Sequence, residues 1–477
     1  MRSRKPPHPS RREILSAVAG LAGAALLPRA VRGAPAMREV TLVAAPARVA
    51  LVEAPHPDTE VWAYNGVLPG PAIRVRQGER LRVRVENRLA EETTVHWHGL
   101  RVPNAMDGVP HLTQQPIAPG GSFLYEFDCP DAGTYWYHPH QRSHEQVGRG
   151  LAGALIVEEA TPPDVDRDVT WVLGDWRLLK DASISGDFGH MRDISHNGRI
   201  GNTVTVNGRV RESFPVRAGE RIRLRLINAA NARIFGLGFG GHAPLIVARD
   251  GQPVAPYEPE GGQVVLGPAA RVDLVLDMTG KPGERFAVVD SFYSTQHYRL
   301  IDLAYGGEAQ VPRKPGADFA RLARNPLAEP DLAQAERHDV ILGGGMMGQM
   351  HSAMMHGRQT DMRTLMRNGL IWAINGVAAA GHVLEPVLTC ARGRSYVLRL
   401  VNETAWHHPM HLHGHFFRVL AVNGRPTAQR EWLDTVMVNP REEVEIAFVA
   451  DNPGSWMFHC HILEHQAGGM MSVVRVA

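Results

Sequence analysis

Three copies of one strand pattern constrain this chain more than any other feature. The first copy runs from Asn65-Gly66 through Pro71, Ile73 and Gly78-Glu79 into Leu81-Arg82-Val83-Arg84-Val85, ending at Asn87. The second runs from Asn207-Gly208 through Gly219-Glu220 into Ile222-Arg223-Leu224-Arg225-Leu226, ending at Asn228. The third runs from Asn375-Gly376 through Arg392-Gly393 into Val397-Leu398-Arg399-Leu400, ending at Asn402. In each, the loop glycine precedes the closing asparagine by nine residues. Alternating apolar and charged residues have the period of a half-buried strand, and the Asn-Gly and Gly-Glu steps are turn chemistry. A second landmark recurs downstream: Gly133-Thr134-Tyr135-Trp136-Tyr137-His138 matches Gly454-Ser455-Trp456-Met457-Phe458-His459. Gly283-Glu284-Arg285-Phe286-Ala287-Val288 is a middle copy without histidine. The repeat is domain-sized, about 140 to 170 residues. An all-β chain is expected, built as three similar Greek-key β-sandwiches over 37–158, 165–308 and 338–477. The proline-bearing segment 309–337 would be a linker, and the polar, Gly-rich stretch 180–201 a loop of the middle unit.

Residues 1–36 stand apart. Arg2, Arg4, Lys5, Arg11 and Arg12 precede an apolar run from Ile14 to Leu27, and Ala34-Pro35-Ala36 suits cleavage near Ala36. This has the form of a signal peptide. Ser10-Arg11-Arg12-Glu13-Ile14-Leu15 resembles the motif read by the twin-arginine export machinery, so a periplasmic or otherwise exported protein is expected. The run is short and rich in Gly and Ala, and no later segment suits a bilayer span, so stable membrane insertion of the mature chain is not expected. Of the 51 basic and 49 acidic residues, seven basic and one acidic fall within 1–36, which leaves the rest at a net charge of −4. That argues against a nucleic-acid partner. Three cysteines, Cys129, Cys390 and Cys460, exclude a disulfide scaffold. Cys129 and Cys390 could pair or remain thiols.

Chemistry concentrates in four short motifs of the first and third units. They are His96-Trp97-His98-Gly99, His138-Pro139-His140, His408-Pro409-Met410-His411-Leu412-His413, and His459-Cys460-His461 with His465 and Met470. Thiolate, imidazole and thioether are copper ligands, and one Cys, two His and a weak axial Met make a blue electron-transfer site. Cys460, His465 and Met470 supply three of those four, and His408 a fourth. Neighbours of a strand residue point to the opposite face, so His459 and His461 can bind metal behind Cys460. Once His408 and His465 are assigned to the cysteine copper, eight imidazoles remain. They suit three more copper ions, two with three ligands and one with two, and leave positions open for dioxygen. A simple electron carrier or copper store needs only the cysteine site and leaves these eight unexplained.

With these motifs the chain resembles the three-domain multicopper oxidases, including bacterial laccases and periplasmic copper-efflux oxidases, over essentially its whole length after residue 36. The resemblance implies cupredoxin-like domains and four copper ions. The type 1 ion would take His408, Cys460 and His465 with Met470 axial, and the type 2 ion His96 and His411. One type 3 ion would take His98, His138 and His461, and its partner His140, His413 and His459. It further implies one-electron oxidation of a donor at the cysteine copper, with dioxygen reduced to water at the other three. Asp107 and Glu464 resemble the family's proton-delivering acids, and Asp434 an acid that bonds a type 1 histidine and fixes its ring.

The donor is the open question. Residues 343–366 carry Met346, Met347, Met350, His351, Met354, Met355 and His356, then Met362 and Met366. Thioethers select Cu(I). The stretch resembles in composition the Met-rich insert over the type 1 site of copper-efflux oxidases, and its opening glycines suggest mobility. A cuprous oxidase contributing to copper tolerance is expected, with phenols and aromatic amines as further donors. The alternative is a laccase acting mainly on phenols, its methionines only packing.

Overall fold

The computed structural model describes residues 37–307, 319, 321–381 and 386–477. The expected signal peptide and part of the expected linker lie outside these residues. The threefold repeat reappears as one local topology used three times. Each closing strand, Arg80–Asn87, Arg221–Asn228 and Ser395–Asn402, lies between two neighbours. One neighbour, the first long strand of its unit, runs parallel: Met37–Val49, Arg167–Trp176 and Glu336–Gly344. The other runs antiparallel: Ser122–Asp128, Arg271–Asp277 and Glu443–Val449. The Asn-Gly steps are turns with both residues at positive φ (55° and 71°, 52° and 74°, 48° and 73°), which Asn and Gly adopt at least cost.

Each of these sheets packs on a second one. In the first unit the second sheet holds Gly70–Arg76, Gly153–Glu158, Gly133–His138 and His96–His98. In the third it holds Pro386–Cys390, Met471–Val476, Gly454–Cys460, His408–Leu412 and Thr435–Val438. Apolar side chains from both layers fill each sandwich: Leu81, Val83 and Trp97 in the first, Leu224, Leu274 and Phe235 in the middle, Leu398, Phe417 and Trp456 in the third. The fold is thus a set of β-sandwiches, as the alternation predicts.

The middle copy departs from the half-buried expectation. Every residue of Arg221–Asn228 is buried, including Arg223 and Arg225. Arg223 pairs with Asp273 at 2.6 Å and Glu159 at 2.7 Å, and Arg225 with Asp168 at 2.7 Å. A buried guanidinium persists only when paired in this way. The stretch 180–201 contains a short helix, Met191–Ser195, rather than loop alone. The Met-rich stretch is likewise structured, as a hairpin of Ser352–Met355 with Arg358–Asp361 followed by the helix Met362–Arg367. Asp361 caps that helix by accepting from Thr364 N at 3.0 Å. Cys129 and Cys390 are free buried thiols in different cores. Among the described residues no helix is long and apolar enough to cross a membrane.

Candidate metal centre

Strand alternation sorts the candidate ligands into two centres. His408–Leu412 pairs with Gly454–Cys460 so that Met410 faces Cys460 and His411 faces His459. His408, Met410 and Cys460 therefore point into the third sandwich, while His411, His459 and His461 point out of it. His96–His98 pairs with Gly133–His138, setting His96 opposite His138. The two outward sets meet: the rings of His96 and His413 stack at 3.9 Å, and those of His98 and His411 at 3.8 Å.

In the inner centre the Cys460 Sγ lies 3.5 Å from His408 Nδ1 and 3.6 Å from His465 Nδ1. Met470 is buried beside them, and its carbonyl accepts from Cys460 N at 3.1 Å. The far nitrogens are occupied: His408 Nε2 bonds Thr404 Oγ1 at 2.8 Å, and His465 Nε2 donates to the His196 carbonyl at 2.6 Å. Trp372 packs against both rings, at 5.1 and 4.3 Å, and its Nε1 donates to the Ile194 carbonyl at 2.6 Å. The 190–196 segment of the middle unit thus roofs the cysteine site. Burial pushes the Cys460 thiol far up and lowers His465 to about 3. A thiol there ionises only against a bound cation, which is how a thiolate–metal bond forms.

In the outer centre the ring nitrogens are set for metal in advance. Nδ1 of His96 donates to the Asp107 carbonyl (2.9 Å), that of His411 to the Asp434 carbonyl (2.8 Å) and that of His413 to Asp107 Oδ2 (2.9 Å). His138 and His459 donate to the Pro139 and Cys460 carbonyls at 3.1 and 2.9 Å. An Nδ1–H committed to oxygen leaves Nε2 as a bare lone pair. The Nε2 atoms of His96, His138, His140 and His411, Nδ1 of His98, and both nitrogens of His461 are buried without a hydrogen-bond partner. The Nε2 atoms of His413 and His459 face each other at 3.2 Å. So many unpartnered buried nitrogens are costly unless a metal satisfies them, and so the donor set fits copper. Burial, reinforced by neighbouring rings, lowers the pKa of His98, His138, His140, His413, His459 and His461 far below the ordinary value, keeping them neutral.

The acids fall differently from expectation. Asp107 touches two ligand rings. Asp434 bonds no type 1 histidine. Its Oδ1 lies 3.2 Å from His98 Nε2 and its carbonyl holds His411, so it serves the outer centre. The reason is that Thr435–Val438 pairs with His408–Leu412 in a register that sets Thr435 opposite His411 and Val438 opposite His408. Glu464 accepts from Arg199 N at 3.0 Å and Asn231 Nδ2 at 2.9 Å, and burial raises its pKa.

The middle unit, which carries none of the four histidine motifs, supplies parts of both centres. Arg271 forks onto Asp434 (2.8 and 2.5 Å), lies 3.4 Å from Asp250, and donates through Nε to the Thr134 carbonyl at 3.2 Å. Burial would push the Asp434 carboxyl up, but Arg271 and His411 hold it well below the usual carboxylate range. Sequence reasoning missed Arg271, His196, Thr404 and Trp372. The one available signal was Gly99, whose φ is +86° and whose missing Cβ would lie 2.3 Å from the Arg271 guanidinium. The Met-rich segment divides. Met346 N bonds the Ser195 carbonyl and its own carbonyl accepts from Trp406 Nε1 at 2.8 Å, beside the roof of the cysteine site. Met355 and His356 line a different cavity, together with His140.

Among the described residues the His/Cys/Asp side chains form four buried groups close enough to hold metal: His408–Cys460–His465, His98–His411–Asp434, His96–His98–His138 and His96–His140–His413. These match one type 1, one type 2 and two type 3 copper sites, so the cofactor is four copper ions. Family comparisons match multicopper oxidases over residues 48–162, 167–306 and 344–477. The chain is 31% identical over 471 residues to the multicopper oxidase MmcO of Mycobacterium tuberculosis, covering 90% of this chain and 85% of that one. It resembles the crystal structure of a multicopper oxidase from Pseudomonas thermotolerans with a TM-score of 0.80, 34% identity, and coverage of 93% and 100%. A Campylobacter jejuni multicopper oxidase described as a metallo-oxidase aligns with a TM-score of 0.77, 28% identity, and coverage of 92% and 91%. Ligand geometry, fold and relatives agree: the chain belongs to the multicopper oxidase family and is a copper enzyme that reduces dioxygen.

Proposed function

We propose that the principal electron donor is cuprous ion, with small phenols and aromatic amines as slower donors, and that the enzyme serves copper tolerance. The observation that carries this reading is the roof over the cysteine site. Thr404 and the His196 carbonyl occupy both outer histidine nitrogens, and Trp372 covers both rings. A phenol therefore finds no bare histidine edge. Met346 and Met347 are exposed at the rim of this roof and offer thioethers to a soft cation. The C. jejuni metallo-oxidase supports the same reading by analogy.

The ligand assignment proposed is His408, Cys460 and His465 with Met470 for type 1, and His96 with His411 for type 2. His98, His138 and His461 would hold one type 3 ion and His140, His413 and His459 the other. Supporting this, rings within the first triplet lie 5.0–5.7 Å apart and within the second 4.9–5.2 Å. Bound copper supplies the redox chemistry, in which four single electrons and four protons convert one dioxygen to two waters. The chain's own part is positional. Cys460 is peptide-bonded to His459 and His461, so one covalent bridge joins the centres. Asp107 and Glu464 are the proposed proton carriers, Asp107 from its seat against His96 and His413 and Glu464 from the Arg199–Asn231 side. The proposed domains are 37–158, 165–308 and 338–477, close to the family matches. Export by the twin-arginine route, with cleavage near Ala36, completes the proposal.

Oxygen consumption by the copper-loaded enzyme tests the reading, with Cu(I) or 2,6-dimethoxyphenol as donor, each with and without added Cu(II). Fast Cu(I) turnover, and phenol oxidation that depends on added Cu(II), is expected. Fast phenol turnover without added copper and poor use of Cu(I) would make the enzyme a laccase. One feature favours that second reading: the half-buried rings of His196 and Trp406, 5.1 Å apart on the roof, form a surface on which an aromatic donor can stack.

A further inference from the structure

One methionine of the Met-rich segment, Met355, lines a cavity that also reaches a histidine of the outer centre. Met355 and His356 sit at the turn of the 352–361 hairpin and line a cavity of about 490 Å³ whose wall includes His140. Met457, Met471 and His144 line the same cavity. Strand register ties two of these to the outer centre. Met471 stands directly across from His459, and Met457 lies two residues before His459 on the same strand. Both thioethers therefore share the face of His459, and directly opposed residues have Cβ atoms about 4.5–5.5 Å apart.

We propose that this cavity is a cuprous-ion site through which copper is loaded onto His140 and His459. Three thioethers and three imidazoles make a soft donor set, and soft ligands select Cu(I). Among the described residues the lining contains no carboxylate, which argues against a hard divalent ion. The one cation among the described lining residues, Arg142, is neutralised by Glu91 and Glu145. The site differs in place and purpose from the exposed Met346 and Met347. There Cu(I) is substrate and gives up an electron; here it is cargo, transferred by ligand exchange from thioether to imidazole with no change of oxidation state. The inference rests on the outer histidines being copper ligands but not on the identity of the donor.

The test follows anaerobic remetallation of the full-length copper-free enzyme with Cu(I), then oxidation and spectroscopy. Met355→Leu/Met471→Leu is the variant, since Leu conserves volume and usually costs under about 1.5 kcal/mol. The type 2 electron-paramagnetic-resonance signal and the near-ultraviolet band of the type 3 pair are expected to return about tenfold or more slowly, as when a metal site loses a supporting group. The visible thiolate band of the Cys460 site, on the opposite strand face, returns at the wild-type rate and reports that the fold and the copper assignment hold. Wild-type recovery of all three signals in the variant would overturn the proposal and leave the cavity as a route for dioxygen or water. Crystals soaked in Ag(I), a redox-silent stand-in, provide a second readout. An anomalous peak among Met355, Met457 and Met471 is expected. No peak, or one at exposed His356 alone, would overturn the proposal as well.

Discussion

Arg271→Met isolates what the middle unit does for the copper centre. Arg271 is fully buried and faces two buried carboxylates, Asp434 at 2.5 Å and Asp250 at 3.4 Å. Methionine fills most of the space but removes the one cation, among the described residues, in contact with both. Burial, with Asp434 nearby, already pushes the Asp250 carboxyl up to about 6 while Arg271 is in place. Breaking a buried ion pair by deleting one partner costs about 3–5 kcal/mol, because the remaining charge has neither water nor counter-ion. With an unfolding entropy of roughly 2.1 cal/mol/K per residue and about 440 residues melting together, that corresponds to a fall in Tm of about 3–5 °C, and more if one sandwich melts alone. Differential scanning calorimetry of the copper-free protein measures it. Spin quantitation of the type 2 signal in the loaded protein measures the second expected effect, a loss of signal as Asp434 releases His411 and His98. Arg271→Lys keeps the charge but loses the two-pronged geometry and should fall between. Arg399→Met, which removes an exposed partner of Asp339, is the control. If Arg271→Met lowers Tm no more than the control and leaves the type 2 signal intact, the argument for a buried keystone is wrong.

Three further outcomes are expected. Gly99→Ala should lower Tm more than Gly66→Ala. Both glycines have positive φ, worth about 1–3 kcal/mol of strain, but a Cβ at 99 also strikes Arg271 and Asp434 while one at 66 meets open space. Cys129 and Cys390, their thiols pushed up to about 12 by burial, should not react with a thiol reagent at about pH 8 until the copper-free protein unfolds; labelling of either in the native state would contradict their burial. Trp372→Phe removes the hydrogen bond to Ile194, worth about 0.5–1.5 kcal/mol, and should raise kcat/KM for 2,6-dimethoxyphenol up to about tenfold by loosening the roof. An unchanged value would mean that the roof does not restrict phenols.

Most of the candidate ligands could be placed from the sequence because they lie in a short strand or next to one, where period-two alternation fixes the face; His465, in the short helix Leu463–Ala467, is the exception. His411 and Met410 need only their positions to be assigned to opposite centres. The turns were legible because Asn-Gly at positive φ has few alternatives. What escaped was contributed across unit boundaries. Arg271 sits at the start of an apolar strand, and nothing local distinguishes a guanidinium that faces water from one that faces two buried carboxylates. The alternation in Arg221–Asn228 implied one wet face, yet both faces are covered. The roof escaped because its essential atom is the backbone carbonyl of His196, which every residue possesses. Asp434 was assigned to the wrong histidine because spacing along the chain does not reveal which histidine a cross-strand register sets beside it.

The outer centre closes over very long stretches of chain. His98 meets Asp434 across 336 residues, and Asp107 meets His413 across 306. Contacts so distant in sequence form late, after the sandwiches that carry them. Half of the eight outer imidazoles come from residues 411–461, so a nascent or truncated chain can build its first two sandwiches and still lack the means to retain the metal. Copper capture is therefore a test of completion. Ions that bind only the finished molecule stabilise it by mass action, so the copper-loaded state is one in which all three parts have folded and met.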